Sequence, residues 1–255
     1  MEKPFEPGRW RSIFHTREGL FEPATLGTAA TFVREHPLLA GTTLNARFSG
    51  TLGFSIALTR SGFPRLEKNF PFFFRYVESV APDRCNAFFI NPLVIAEGSH
   101  VAPHIDRSLG SWCRPDVAPY PLKVSVLYLE VPDDLQGGRL LLHPPAWTFR
   151  SKPEIVPRTG LLFEFRGDLK HEVAAVTQAR YPRISLVMEH YELPPYLLRK
   201  IPDFFVRSKR TFDSFMDDAL GEGLEEAGDG QGEGDTVEGD SVESEPFSTE
   251  SPTPT

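Results

Sequence analysis

The stretch AEGSHVAPHID, residues 96–106, places an imidazole and a carboxylate two positions apart, shortly after a glycine. If this stretch is an extended strand, His104 and Asp106 point to the same face, because side chains alternate along a strand. Together they supply two of the three ligands in the two-histidine, one-carboxylate arrangement that binds non-haem Fe(II) with open coordination positions. The rest of the chain can then be searched for a third ligand.

The composition indicates a globular chain followed by an acidic tail. Hydrophobic residues make up 40% of the 255 positions, and the 21 phenylalanines alone provide for a substantial core. Eleven acidic residues and no Lys or Arg lie in 221–255, which leaves 24 acidic and 27 basic residues in 1–220. This near-neutral balance gives no indication of a nucleic-acid partner. The tail is too poor in apolar residues to fold and is expected to be disordered.

Cysteine usage and hydropathy predict a cytoplasmic protein. The two cysteines, Cys85 and Cys113, exclude a disulfide framework and a cysteine-rich zinc site, and they fit a reducing compartment. The first residues contain no apolar signal segment. No run of about 18 apolar residues is present, so no membrane span is expected.

Apolar periodicity predicts helices at both ends of the chain and strands between them. Residues 1–21 look irregular, 23–36 and 64–80 have helical apolar stripes, and 50–58 alternates weakly as a strand would. Helical spacing returns over 196–220, where Pro202 is expected to divide the helix. The predicted strands between these regions are 86–95, 100–106, 122–130, 139–143, 154–157, 160–165, 171–176 and 183–192.

Short strands at close spacing, with no helices between them, predict a mainly β fold with flanking helices. The expected architecture is a double-stranded β-helix, which is a jelly roll of the cupin type. The predicted regions are an N-terminal helical support (1–84), a catalytic β core (85–193), a C-terminal helical segment (194–220) and the acidic tail (221–255).

Two later positions complement the opening pair. His171 follows the predicted strand 160–165, and Arg183 begins another strand with Ser185 on the same face. A cation that points into the interior of a jelly roll is costly unless it meets an anion. A ligand carboxylate is a suitable anion.

The order of these fragments resembles that of the Fe(II)/2-oxoglutarate-dependent dioxygenases, and most closely their prolyl 4-hydroxylase-like branch. The resemblance covers about residues 86–192. It depends on joint order and spacing, and the fragments are His104-Ile-Asp106, Gly137-Gly138, Gly160-Leu-Leu-Phe163, His171-Glu-Val173 and Arg183-Ile-Ser185.

The resemblance implies a site and an activity. His104, Asp106 and His171 would bind Fe(II), and Arg183 would pair with the distal carboxylate of 2-oxoglutarate. Dioxygen would be the second co-substrate, ascorbate a reductant, and succinate and CO2 the co-products. The expected activity is hydroxylation of an unactivated C–H bond in a peptidyl or small-molecule substrate. Asp106 favours hydroxylation, because related halogenases lack the carboxylate.

Several alternatives stay open in the sequence. Arg180 stands nine positions after His171, a more usual spacing in the family than the twelve of Arg183. Tyr128 or Ser125 could contact the co-substrate, and strand parity alone does not choose between them. His100 is a rival ligand, whereas His143 and His190 are expected to flank the sheet.

The loop 107–121 is expected to recognise the substrate, because loops beside a rigid site commonly do so. A different class of function also fits the same fold. It is a cupin-like metal-binding or sensory module without oxygenase turnover, and such a module has no need of a carboxylate-binding arginine.

Overall fold

The computed structural model describes residues 13–42, 46–113, 119–144 and 152–210. Four α-helices lie in these ranges: α1 Pro23–Glu35, α2 Phe63–Asn69, α3 Pro71–Val80 and α4 Pro195–Leu198. Two 3-10 helices span Arg60–Gly62 and Ser108–Ser111. The strands are β1 Phe14–Arg17, β2 Ala40–Gly41, β3 Phe48–Ser49, β4 Leu52–Gly53, β5 Ser55–Thr59, β6 Ala87–Ile95, β7 His100–His104, β8 Lys123–Glu130, β9 Gln136–Gly137, β10 Leu140–His143, β11 Glu154–Ile155, β12 Leu162–Arg166, β13 Lys170–Val173, β14 Val176–Gln178, β15 Arg183–Tyr191 and β16 Phe204–Arg207.

The larger sheet is built around the antiparallel strands β8, β15 and β6. Its order is β1-β12-β8-β15-β6-β4-β2, with β5 also paired to β6 and β16 paired to β5. Pro92, which has no N–H to donate, lies inside β6. On its outer side β6 pairs first with β5, over Ala87–Ile90, and then with β4, at Leu93 and Val94. Pro92 lies between these two pairings.

The smaller sheet has the order β11-β10-β13-β7-β3. The two sheets face each other, since one cavity is lined by residues of β6, β8 and β15 and by residues of β7, β10 and β13. The predicted jelly roll is therefore confirmed.

Strands β9 and β14 form a separate two-stranded ribbon. Gly137 in β9 has φ +77°, and a Cβ added there would lie 2.0 Å from the backbone oxygen of Ala175.

Alternation along the central strands separates the cavity from the main core. On β8, Val126 and Tyr128 face the cavity, whereas Leu127 and Leu129 join the apolar cluster formed with the helices. Helices α1 and α3 contribute Val33, Phe73, Val77 and other side chains to that cluster. The outer face of the sheet is thereby covered and the inner face is left for the site.

All eight strands predicted between 86 and 192 are present, with ends that differ by a few residues. The helix predicted over 23–36 is also present. The continuous helix predicted over 64–80 was wrong, because Pro71 ends α2 at Asn69 and begins α3. Proline restricts the residue before it to non-helical backbone, and Phe70 has φ −139° and ψ 62°.

Two terminal predictions also need correction. Residues 14–17, expected to be irregular, form β1 and pair with β12. The helix predicted over 196–220 is limited to α4 in the described part of the chain, and Phe204–Arg207 is a strand instead. Its buried residues Phe204 and Val206 alternate with two exposed ones, which is the period of a strand. Residues 211–220 and the acidic tail lie outside the described residues.

The longest described helix has 13 residues, and none of the described helices combines the length and apolar character needed to cross a bilayer.

Candidate metal centre and co-substrate pocket

His104, Asp106 and His171 converge at one end of the cavity. His104 ends β7 and is the direct cross-strand partner of His171 on β13. Asp106 follows two residues later, and one ligand atom from each of the three side chains lies within 4.8 Å of the others. All three residues are buried. These side chains form the only such group of three among the described residues, and the carboxylate and two imidazoles match the donor set that non-haem iron prefers.

The backbone fixes both imidazole rings in the same way. The Nδ1 atom of His104 lies 2.9 Å from the carbonyl oxygen of Ala102, and the Nδ1 atom of His171 lies 3.1 Å from that of Leu169. A carbonyl oxygen can only accept, so each Nδ1 carries the proton and donates it. In the neutral ring, Nε2 is then left with a lone pair for a metal.

The Nε2 atoms face the carboxylate of Asp106 at 3.2 Å for His104 and 3.4 Å for His171. Burial lowers the pKa of His171, which favours the neutral ring. Its Nε2 and the carboxylate oxygen are then two acceptors facing each other, and no described residue donates a hydrogen bond to Oδ2 of Asp106. A cation between these atoms satisfies all of them, so the residues fit a divalent metal.

Asp106 raises the pKa of both rings, but only at His104 does it outweigh burial. Burial lowers the pKa of His104, but the hydrogen bond and the charge of Asp106 outweigh burial and raise it. Burial by itself raises the pKa of Asp106, but the interactions with His171 and His104 outweigh burial and lower the pKa of this carboxyl group. The carboxylate is thus held ionised, as a metal ligand must be.

Arg183 is a buried cation with no acidic partner among the residues that the structure describes. The residue is 2% exposed, and within the same ranges its Nε and Nη1 atoms have no hydrogen-bond partner. The guanidinium carbon lies 5.3 Å from the ring centroid of Tyr128, whose hydroxyl group interacts with Arg183 but makes no well-formed hydrogen bond to any described residue. Burial lowers the pKa of Arg183, although an arginine stays charged at neutral pH. Unpaired buried donors of this kind fit the carboxylate of a ligand.

The structure places the alternatives elsewhere. Arg180 is exposed and interacts with Asp133 at 3.5 Å, outside the cavity. Ser125 faces the helices, where its hydroxyl accepts a hydrogen bond from the Tyr76 hydroxyl at 2.9 Å and lies 2.8 Å from Nε2 of His190. Tyr128, in contrast, lines the cavity. Ser125 and Tyr128 thus lie on opposite faces of β8, and strand parity alone could not say which of the two faces was the inner one.

The other candidate histidines are not brought to the site. His143 lies 2.9 Å from Glu172 through its Nε2, and His190 is behind the sheet beside Ser125. His100 begins β7 opposite Ser49 and is not among the residues that line the cavity.

Sequence reasoning missed Glu189, a buried carboxyl group in the cavity wall. Burial, followed by the charge of Asp106, raises the pKa of Glu189 to about 8. Its carboxylate accepts hydrogen bonds from the backbone N–H of Ser108 at 3.0 Å, from the Ser108 hydroxyl at 2.5 Å and from the hydroxyl of Tyr191. It thereby fastens the segment that follows Asp106. The signal was available, because positions 183, 185 and 189 share one face of β15.

Comparisons at the sequence level gave no match, either to a family model or to a curated protein. Solved structures of similar fold include the following three. A Pseudomonas putida prolyl-4-hydroxylase is 15% identical over 71% of this chain and 94% of its own, with a TM-score of 0.49. A 2OG-Fe(II) oxygenase family oxidoreductase from Burkholderia pseudomallei is 16% identical over 71% and 86%, with a TM-score of 0.45.

The third is a Trichoplax adhaerens prolyl hydroxylase in complex with a hypoxia inducible factor oxygen degradation domain peptide fragment. It is 14% identical over 71% of this chain and 84% of its own, with a TM-score of 0.49. At this level of similarity the functional conclusion has to come from the cavity's own side chains.

Proposed function

We propose that this protein is an Fe(II)- and 2-oxoglutarate-dependent oxygenase that hydroxylates an unactivated C–H bond of a peptidyl or small-molecule substrate. The proposal depends above all on Arg183. A buried guanidinium with unsatisfied N–H groups shares a cavity with two histidines and a carboxylate. A metal-binding module without turnover has no use for such a cation.

In this proposal His104, Asp106 and His171 would hold the iron, and 2-oxoglutarate would bind beside it in the same cavity. Arg183 binds the distal carboxylate of 2-oxoglutarate, and the Tyr128 hydroxyl donates a further hydrogen bond to it. Iron and 2-oxoglutarate together supply the oxidising power, and succinate and CO2 are released as co-products.

Apolar side chains in the rest of the cavity exclude water from the charged groups. Val124, Val126 and Leu140 line it with apolar surface next to the charged groups. Charged contacts are stronger where water is excluded, so Arg183 should discriminate strongly between 2-oxoglutarate and monocarboxylates. The cavity volume of about 440 Å³ is within the usual range for small-molecule sites.

The test is succinate formation from 2-oxoglutarate by the protein with Fe(II), and with ascorbate as reductant. We expect slow turnover without added substrate, loss of turnover in His104→Ala, and no activity with Zn(II) in place of Fe(II). His143→Ala is the matched control, because it removes an imidazole outside the cavity. Metal binding without any succinate, across peptide and metabolite mixtures, would instead support the sensory-module alternative.

A further inference from the structure

Three arginines surround the open end of the cavity, and we call them the rim arginines: Arg47, Arg107 and Arg207. They are exposed and come from separate parts of the chain. Arg47 precedes β3, Arg107 follows Asp106, and Arg207 ends β16. Their convergence on one opening is thus a property of the fold and not of a local basic run.

The charges deeper in the cavity are already matched under the proposed function. A divalent metal and Arg183 balance Asp106 and the two carboxylates of 2-oxoglutarate. The only other acidic residue lining the cavity in the described part of the chain is Glu189, and Ser108 and Tyr191 satisfy it. Arg207 therefore gives the entrance a positive charge that the bound cofactors do not use. A positively charged entrance attracts anions and repels cations.

Arg207 is the best placed of the three. Its register partner on β5 is Ser55, which also lines the cavity. The guanidinium carbon lies 5.9 Å from the ring centroid of Phe205 and 6.0 Å from that of Trp112, and the two rings meet edge-on at 5.7 Å. No acidic side chain pairs with Arg207 within the ranges that the structure describes. Aromatic contacts of this kind orient a guanidinium while leaving its N–H groups to bind an oxyanion.

From this arrangement we infer that the substrate carries an oxyanion, a carboxylate or a phosphate, which Arg207 binds at the entrance. This inference rests on the proposed function, because it takes the bound metal and 2-oxoglutarate to occupy the inner end. Trp112 and Phe205 add an apolar surface beside the charge. The substrate is accordingly a small acid or an acidic side chain with apolar surface next to its anionic group.

The experiment uses the full chain loaded with Mn(II), a redox-inert paramagnetic stand-in for Fe(II), and saturated with 2-oxoglutarate. Benzoate, phenyl phosphate and neutral benzamide are added separately, and the broadening of their ring-proton NMR signals by Mn(II) is measured. Because 2-oxoglutarate already occupies Arg183, only a second site can bring the probes near the metal. We expect the signals of at least one of the two acids to broaden, and benzamide to bind at least about ten-fold more weakly than that acid. The Arg207→Gln variant should bind the acid more weakly than the wild type by a similar factor.

Arg180→Gln is the matched control and should bind like the wild type, because Arg180 is exposed outside the cavity. The tighter of the two acids identifies the preferred oxyanion. Equal binding of benzamide, no broadening by either acid, or unchanged binding in Arg207→Gln would each overturn the inference. A separate titration of 2-oxoglutarate into the Mn(II) protein tests the proposed function, so the two failures are distinguishable.

Discussion

His104 and His171 are direct partners across β7 and β13, with ring centroids 4.3 Å apart, and each ring is fixed by the carbonyl group two residues before it. Phe48 and Phe165 meet the two rings edge-on at 5.3 and 4.8 Å. Both imidazoles are therefore oriented before any metal binds, which reduces the entropy lost on coordination.

The first prediction concerns metal affinity. His171→Ala and Asp106→Ala should weaken Mn(II) binding by more than about 100-fold, because each removes a ligand from a preformed group of three. Isothermal titration calorimetry of the metal-free protein measures this. His143→Ala should bind as the wild type does, and comparable losses in that control would show that the metal lies elsewhere.

The second prediction separates the two arginines. Arg183→Ala should raise the KM for 2-oxoglutarate in uncoupled turnover by roughly 30-fold or more, since buried charged pairs contribute about 2–5 kcal/mol. Arg180→Ala should change it by less than about two-fold, as expected of an exposed ion pair. Succinate formation at varied 2-oxoglutarate concentration gives both values. The reverse order would assign the carboxylate to Arg180.

A third prediction uses the two faces of β8. Tyr128→Phe should raise the KM for 2-oxoglutarate about three- to ten-fold, the usual effect of one hydrogen bond, while stability hardly changes. Ser125→Ala should leave the KM unaltered but lower the free energy of unfolding by about 1–3 kcal/mol, because Tyr76 and His190 lose a buried partner. Kinetics and urea unfolding on both variants test this, and a KM effect of Ser125→Ala would contradict the placement.

The fourth prediction concerns pH and His36. This ring stacks against Phe54 and Phe70 at 4.8 and 5.4 Å, and its Nδ1 accepts a hydrogen bond from the N–H of Leu38. Burial lowers the pKa of His36 to about 4 from its usual 6.5, so the unfolded chain takes up the proton first. The stability contributed by the neutral ring is complete above pH 6.5 and is lost as the pH falls towards 4.

At pH 5.0 this loss amounts to about 2 kcal/mol relative to neutral pH. His36→Phe keeps the aromatic stacking and removes the titration. Between pH 7.5 and 5.0 the wild type should therefore lose about 2 kcal/mol more unfolding free energy than the variant does. Urea unfolding of both metal-free proteins measures it, and a constant difference would argue against a buried neutral ring.

Local pattern was sufficient for the β core and for the pairing of His104 with Asp106, whereas His171 and Arg183 were assigned to the site from the family resemblance. Alternation and turn residues located β6, β8 and β15, and the i, i+2 spacing put His104 and Asp106 together. Whether they, His171, Arg183 and Tyr128 perform the roles assigned to them stays a prediction, as do the domain boundaries. Two predictions were wrong because pairing between distant strands outweighed the local spacing of apolar residues. Strand β16 pairs with β5 and β1 pairs with β12, and each partner lies far away in the sequence.

Two of the rim arginines, Arg47 and Arg207, were not predicted from the sequence for the same reason. Nothing in the sequence around Arg47 or Arg207 distinguishes it from a surface arginine, and both belong to segments outside the predicted core. Only the pairing of β16 with β5 brings Arg207 to the entrance. Sequence pattern thus predicted the inner end of the cavity much better than its opening.

The position of β16 has a consequence for how the protein is made. Its partner β5 and all three candidate metal ligands leave the ribosome well before residues 204–207 do. A nascent chain can therefore assemble the inner end of the cavity first, while one edge of the large sheet is still bare and the entrance lacks Arg207. On the inference that Arg207 binds the substrate, selectivity arises only when β16 is added, after the candidate metal ligands have been made.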